Sequence, residues 1–167
     1  MTRNVGQLMS RSIRTCHPGD SLNAAAQIMW EEDCGCVPVV QGDGEEPPHL
    51  VGIVTDRDVC MAAYTQGKPL ASIPVASVME RDLATCVAAD PITVALNVLR
   101  TRRLHRLPVV EHDAELVGML SLADIARESK HPAHRSAREA VTAESVGDTV
   151  AVICEARGGR REVVATH

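Results

Sequence analysis

The strongest constraint in this sequence is that it contains itself twice. Met9 returns as Met79, Thr15-Cys16 as Thr85-Cys86, Asp20 as Asp90, and Pro38-Val39-Val40 as Pro108-Val109-Val110, all at one offset. After a loop the offset shortens by a few residues. Leu50-Val51-Gly52 then matches Leu116-Val117-Gly118, Thr55 matches Ser121, and Asp58 matches Asp124. The change falls within Gln41 to His49, a Gly/Pro/Glu-rich loop where insertions cost little. A register that survives an insertion and then resumes marks a duplicated unit.

Each copy carries the same order of elements. In copy one, Leu22, Ala25, Ala26, Met29 and Trp30 recur at helical spacing, with Asp20 or Ser21 placed to cap the helix. In copy two, Ile92, Ala95, Leu96 and Leu99 do the same, with Asp90 as the cap and Pro91 at the first helical position. Two short apolar strands follow: Val37 to Val40 and Leu50 to Val54, or Leu107 to Val110 and Leu116 to Leu120. A second helix starts at Thr55 or Ser121. A short extended lead-in precedes each copy, near Ile13 to Thr15 or Leu83 to Thr85.

One copy alone is about 60 residues, a marginal size for an independent fold. Two copies that bury their sheets against each other remove that difficulty. The expected fold is therefore α/β, more narrowly α+β: two β-α-β-β-α units packed as one pseudo-two-fold module, with clefts between the halves. The units span residues 5–70 and 75–130. Residues 131–167 form a C-terminal extension. Within it, Val146, Val150, Ile153 and Cys154 suggest a short helix docked on its own module or on a partner, and Arg157 to Arg161 read as a mobile basic tail.

The packing must be aliphatic. The apolar fraction is 45%, yet there is no Phe, one Trp and one Tyr. A planar ligand would rest on aliphatic side chains and backbone. The net charge of −5 and the lack of aromatic faces argue against nucleic acid as a partner. Arg100, Arg102, Arg103 and Arg106 still cluster, so a small anionic ligand fits the charge pattern. No run approaches the ~20 apolar residues that span a bilayer, and no signal-peptide core is present. The expectation is a cytoplasmic chain with no membrane partner and six reduced cysteines.

The chemistry-bearing motif is Gly-x-x-(Thr/Ser)-x-x-Asp at each strand-to-helix turn: Gly52 to Asp58 and Gly118 to Asp124. It has two readings. Thr or Ser with an acid three residues on is a capping box that any helix can use. The same residues suit a sugar phosphate. Helix N-terminal amides and a hydroxyl favour phosphate, and an ionised Asp accepts from both ribose hydroxyls. Gly52 and Gly118 let a ligand or another backbone approach the strand closely. The duplication in register favours the ligand reading. The run Arg102 to Pro108, with His105 and Arg106 before a strand, would supply the cations a di- or triphosphate needs. Its counterpart in copy one is Gly35-Cys36, so the two clefts should differ.

Catalysis finds no support in motifs. A nucleophile elbow, a Walker lysine and a dinucleotide fingerprint are all missing from the sequence. His105 has no nucleophile tied to it. Cys34-Gly35-Cys36 invites a metal, but no second Cys pair completes four ligands, so the expectation is no metal.

Val5 to Met9, Thr15 to Pro18, Val37 to Val40 and Gly52 to Val59 together resemble a cystathionine-beta-synthase (CBS) domain, and Val78-Met79 through Ile125 resemble a second. The resemblance covers roughly residues 5 to 130. It implies disc-like homodimers and adenosyl ligands such as AMP, ADP or ATP, with no further cofactor required. It implies that each cleft takes its Thr/Ser and Asp from one repeat and its base contacts from the lead-in of the other. One cleft would then use Ser121 and Asp124 with Thr15, Cys16 and Pro18. The other would use Thr55 and Asp58 with Thr85, Cys86 and Val87. The run Leu104 to Pro108 is similar to a segment of AMP-activated kinase gamma subunits whose His and Arg contact phosphates, which implies His105 and Arg106 in the first of these clefts. Arg57, without a counterpart in copy two, is a further phosphate candidate. The resulting expectation is a non-catalytic regulatory sensor of adenine nucleotides, acting on an unidentified protein partner. The alternatives are a ligand-free dimerisation or interaction module, and an enzyme or metal protein built on Cys34, Cys36 and nearby His.

Overall fold

The computed structural model describes residues 3–42, 48–130 and 141–155. The stretch Arg157 to Arg161 and most of the loop between the first two strands lie outside the described residues.

Repeat one begins its regular structure with α1 (Leu22–Glu31), in which Leu22, Ala25 and Met29 are buried. Trp30, which spacing grouped with this face, is 88% exposed. It stands 100° round the helix from Met29, outside the stripe centred on those three residues. Ser21 is the cap: its Oγ accepts from the Ala24 amide at 3.3 Å. Asp20 instead accepts from the His17 amide at 2.7 Å and closes the preceding turn. The antiparallel strands β1 (Cys36–Gln41) and β2 (His49–Thr55) follow, then α2 (Asp56–Gln66), which ends on Gly67 at φ 60.

Repeat two repeats the plan with β3 (Cys86–Val87), α3 (Ile92–Arg102), β4 (Arg106–Val110), β5 (Leu116–Ser121) and α4 (Leu122–Ser129). The sheet order is β3-β4-β5, with β3 parallel to β4 and β4 antiparallel to β5. In repeat one the same parallel pairing is a single bridge from Cys16 to Val39. Each β-hairpin carries a register shift at the same place, Val39/Val40 and Val109/Val110. Asp90 is not the cap of α3: Pro91 occupies that position with no side-chain hydrogen bond, and Asp90 accepts from the Val87 amide at 3.0 Å.

The hydrophobic core has three parts. One is built on α1, α2, β1 and β2, and one on α3, α4, β4 and β5. The third joins them and consists of equivalent pairs, Val40 with Val110 and Leu50 with Leu116, flanked by Ile13 and Leu83. A pseudo-two-fold axis through this cluster explains why each member appears twice. Each fully buried Leu or Val here contributes about 1.5–3 kcal/mol, which neither repeat could collect alone.

The lead-ins cross over. Val5 and Met9 open repeat one but are buried in the core of repeat two, and Val75 and Met79 open repeat two but are buried in the core of repeat one. The crossing is fixed by paired backbone bonds: Ser10 with Met119, both at 2.9 Å, and Glu80 with Ile53 at 2.9 and 3.0 Å. Gly52 and Gly118 permit it. A Cβ on Gly52 would lie 2.8 Å from the Met79 sulfur and 3.2 Å from the Glu80 carbonyl oxygen, and one on Gly118 would strike Met9 in the same way. The close approach these glycines allow is made by the chain itself.

Finally α5 (Ala143–Cys154) packs on α3 and α4, burying Val146 and Thr149 and leaving Val150 and Cys154 outward. Among the described residues, no helix is long and apolar enough to cross a membrane.

Candidate functional site

Two clefts open between the repeats, one at each strand-to-helix turn. The chain reaches each turn the same way. The last strand ends at Thr55 or Ser121, which takes extended φ/ψ and caps the following helix. Thr55 Oγ1 accepts from the Asp58 amide at 3.2 Å, while the Thr55 amide and hydroxyl both donate to Asp58 Oδ2, at 2.9 and 2.6 Å. Ser121 and Asp124 reproduce this at 3.1, 2.8 and 2.6 Å. Both capping boxes are therefore closed.

The helix amides are also engaged. Asp56 N donates to the Gly35 carbonyl at 3.1 Å and Arg57 N to Asp56 Oδ1 at 2.7 Å. Leu122 N donates to the His105 carbonyl at 2.9 Å. A phosphate at these turns would thus depend on side-chain cations more than on free N–H groups, which revises the expectation from the motif.

The larger cleft, about 590 Å³, has Thr55, Asp56, Arg57 and Asp58 on one wall and Asp82, Leu83 and Ala84 of the crossing lead-in on another. Arg103, Leu104, His105 and Arg106 close it from repeat two. The smaller, about 420 Å³, sets Ser121, Asp124 and Arg127 opposite Ser10, Ser12, Ile13 and Arg14 of the other lead-in, with Cys34, Cys36 and Arg106 at its base. Each turn does meet the lead-in of the opposite repeat.

The residues that meet it differ from those expected. Thr15, Cys16 and Pro18 do not line the Ser121–Asp124 cleft, nor do Thr85, Cys86 and Val87 line the other. Cys16 and Cys86 turn into the cores, 1% and 5% exposed, because the backbone there pairs with β1 or β4. Burial pushes their thiols up, to about 11 for Cys16 and about 12 for Cys86, with Asp20 and Asp90 adding to it. Pro18 gives its carbonyl to the Ala76 amide, and Val87 is 42% exposed. The residues facing the clefts lie slightly earlier in the chain, where the lead-in is still crossing.

His105 lies in the Thr55–Asp58 cleft instead of its own repeat's, since the starts of β1 and β4 meet at the pseudo-two-fold axis. Arg106 and Cys36, equivalent positions, line both clefts. Burial raises the Cys36 thiol, Arg106 pulls it back down, and Cys34 and Asp56 push it up. Cys34 donates to the Cys36 carbonyl at 3.3 Å. Among the described residues no group of three or more His, Cys, Asp or Glu converges as metal ligands.

Two further arginines line the clefts, Arg103 from the basic run already noted and Arg127, which no sequence motif singled out. Arg103, at φ 54 on the end of α3, lines the larger cleft and pairs with Glu155 at 3.0 Å. Arg127 pairs with Asp124 Oδ1 inside the smaller cleft. The second was visible as an i, i+3 pair but looks like any surface contact.

A family model described as CBS domain matches residues 5–64 and 75–131. Homoserine O-acetyltransferase of Methanococcoides burtonii is 32% identical over 124 residues, which is 74% of this chain and 24% of that protein. The chain thus spans about a quarter of that relative's length. CBS domain-containing protein YhcV of Bacillus subtilis is 29% identical over 123 residues, 74% of this chain and 83% of the relative. The CBS domain pair of protein MJ0100, solved in complex with 5-methylthioadenosine and S-adenosyl-L-methionine, aligns with a TM-score of 0.64 at 26% identity, covering 74% of this chain and 97% of that one.

Proposed function

The chain belongs to the CBS domain family, and from that premise we propose that it is a non-catalytic regulatory module whose Thr55–Asp58 cleft binds an adenosine phosphate. One observation carries the reading: Arg57, His105 and Arg106 line one cavity with Asp58, and none of the three makes an ion pair among the described residues. Arg57 and Arg106 stand ready for phosphate oxygens, with His105 beside them. Asp58 spends Oδ2 on its cap and keeps Oδ1 for the ribose hydroxyls. Leu83, Ala84 and Leu104 offer the aliphatic surface for the base that a chain this poor in aromatics must use. The volume falls within the range of small-molecule sites. The adenosyl ligands of the MJ0100 pair support the ligand class.

In this reading the chain acts in the cytoplasm as a homodimer, needs no further cofactor, and passes nucleotide binding to a protein partner through the relative placement of its repeats. The ligand can shift that placement only by its differential affinity for the two arrangements. A second reading, a ligand-free interaction module, is favoured by one fact: both capping boxes are complete without a ligand.

Calorimetric titration with AMP, ADP and ATP separates the two. The nucleotide reading expects saturable binding of at least one of them, weakened about 10- to 100-fold by Asp58→Ala, as loss of a charge-assisted hydrogen bond implies. No heat and no change in melting temperature with any of the three leaves the interaction module.

A further inference from the structure

We propose that a nucleotide enters only the Thr55–Asp58 cleft, and that Arg127 excludes one from the Ser121–Asp124 cleft by occupying the carboxylate the ribose would need. This rests on the nucleotide reading above and adds its stoichiometry and its determinant.

The two clefts carry the same motif but not the same free groups. Asp58 and Asp124 each give Oδ2 to their capping box. In repeat two the remaining oxygen, Oδ1, accepts from Arg127, three residues on along α4. In repeat one the residue three beyond Asp58 is Met61, which has no charge to offer. The only structural difference needed to open one acid and close the other is therefore a single side chain at equivalent helix positions.

The cations follow the same division. Arg14, on the far wall of the smaller cleft, is held by Glu31 and Glu32 at 3.8 and 3.4 Å. With Arg127 on Asp124, that cleft has neutralised itself. Its one cation without an ion pair among the described residues is Arg106, and Arg106 also lines the larger cleft. Arg106 is thus available to a phosphate in either cleft. The larger cleft has Arg57 and His105 besides.

Arg127 is exposed and Met61 is 40% exposed, so both positions accept exchange without disturbing the core. The experiment is calorimetric titration of the full chain with the tightest of AMP, ADP and ATP, for the unaltered protein, Arg127→Met, Arg127→Lys and Met61→Arg. The expected stoichiometry is one nucleotide per chain for the unaltered protein and for Arg127→Lys, which keeps the charge. Arg127→Met should add a second site. Met61→Arg should weaken the first by about two- to fivefold, by clamping Asp58 as Asp124 is clamped. Two sites in the unaltered protein overturn the proposal, as does a single site in Arg127→Met. So does a second site that Arg127→Met abolishes, because Arg127 would then be a phosphate ligand. Absence of binding in every variant instead removes the nucleotide reading itself.

Discussion

Cys36 and Arg106 hold the same position in the two repeats and face each other across the pseudo-two-fold axis, each lining both clefts. Burial raises the Cys36 thiol, and the Arg106 guanidinium is the one neighbour that lowers it. Thiolate is the reactive form. Replacing Arg106 with Gln should therefore slow alkylation of Cys36 by iodoacetamide at pH 8 several-fold, and a bound nucleotide should slow it as well by covering the cleft. Site-resolved mass spectrometry provides internal references in the exposed Cys60 and Cys154. Faster labelling in Arg106→Gln would mean that the guanidinium blocks the thiol more than it activates it.

Gly52 exists for Met79. A Cβ at Gly52 meets Met79 Sδ at 2.8 Å, Met79 Cγ at 3.0 Å and the Glu80 carbonyl at 3.2 Å. Gly52→Ala should cost about 1–3 kcal/mol, the usual penalty of overpacking. Much of that strain is against a flexible side chain, so in a Met79→Ala background the same change should cost less. A double-mutant cycle by urea unfolding measures the coupling. Additive losses would show that the Glu80 backbone, and not the methionine, is what a side chain at Gly52 cannot pass.

The plan of each repeat was legible because periodicity reports burial. Ile92, Ala95, Leu96 and Leu99 are all in the core of α3's repeat. Thr55 and Ser121 cap helices because their chemistry is local. What stayed hidden depends on which repeat a segment packs against. The bridges from Ser10 to Met119 and from Glu80 to Ile53 are backbone pairings with no side-chain signature, so the residues themselves read only as extended chain and the crossing entered through the family resemblance alone. The inward turn of Cys16 and Cys86 belongs with that, since a strand's side chains change face at every residue. His105 lines the cleft of the other repeat's turn for a related reason: a residue beside the pseudo-two-fold axis lies as near to that turn as to its own.

The buried thiols make stability depend on alkaline pH. Cys16 is raised from an ordinary 9.0 to about 11 and Cys86 to about 12, both chiefly by burial. Between 9 and these values the unfolded chain releases protons that the folded chain retains, so the unfolded state gains. The stabilisation is complete below pH 9 and is lost as pH rises through about 11 and about 12. Each thiol contributes a slope of about 1.4 kcal/mol per pH unit in that window. Cys16→Ala should start less stable at pH 8 but fall less steeply towards pH 10.5 in urea unfolding. Parallel curves for the two proteins would place the alkaline transition elsewhere.

Arg103 connects the larger cleft to the C-terminal helix. It lines the cavity, and its Nη2 donates to Glu155 Oε2 at 3.0 Å, just past the end of α5. Arg103 has a positive φ of 54 at the end of α3, which aims it between these two sites. A phosphate in the cleft offers that guanidinium a doubly charged alternative to an exposed carboxylate. The pair itself is partly solvated and so worth roughly 0.2–1 kcal/mol, which limits the loss of α5 protection to about fivefold or less. Amide hydrogen exchange across Ala143–Cys154 should therefore speed by a small factor on nucleotide binding, while the Thr55–Asp58 turn slows. Glu155→Gln should give the same increase in α5 exchange without nucleotide, and nucleotide should then add nothing further. Exchange in α5 that ignores the ligand in the unaltered chain would confine Arg103 to the helix and leave the cleft's signal to travel through the repeats alone.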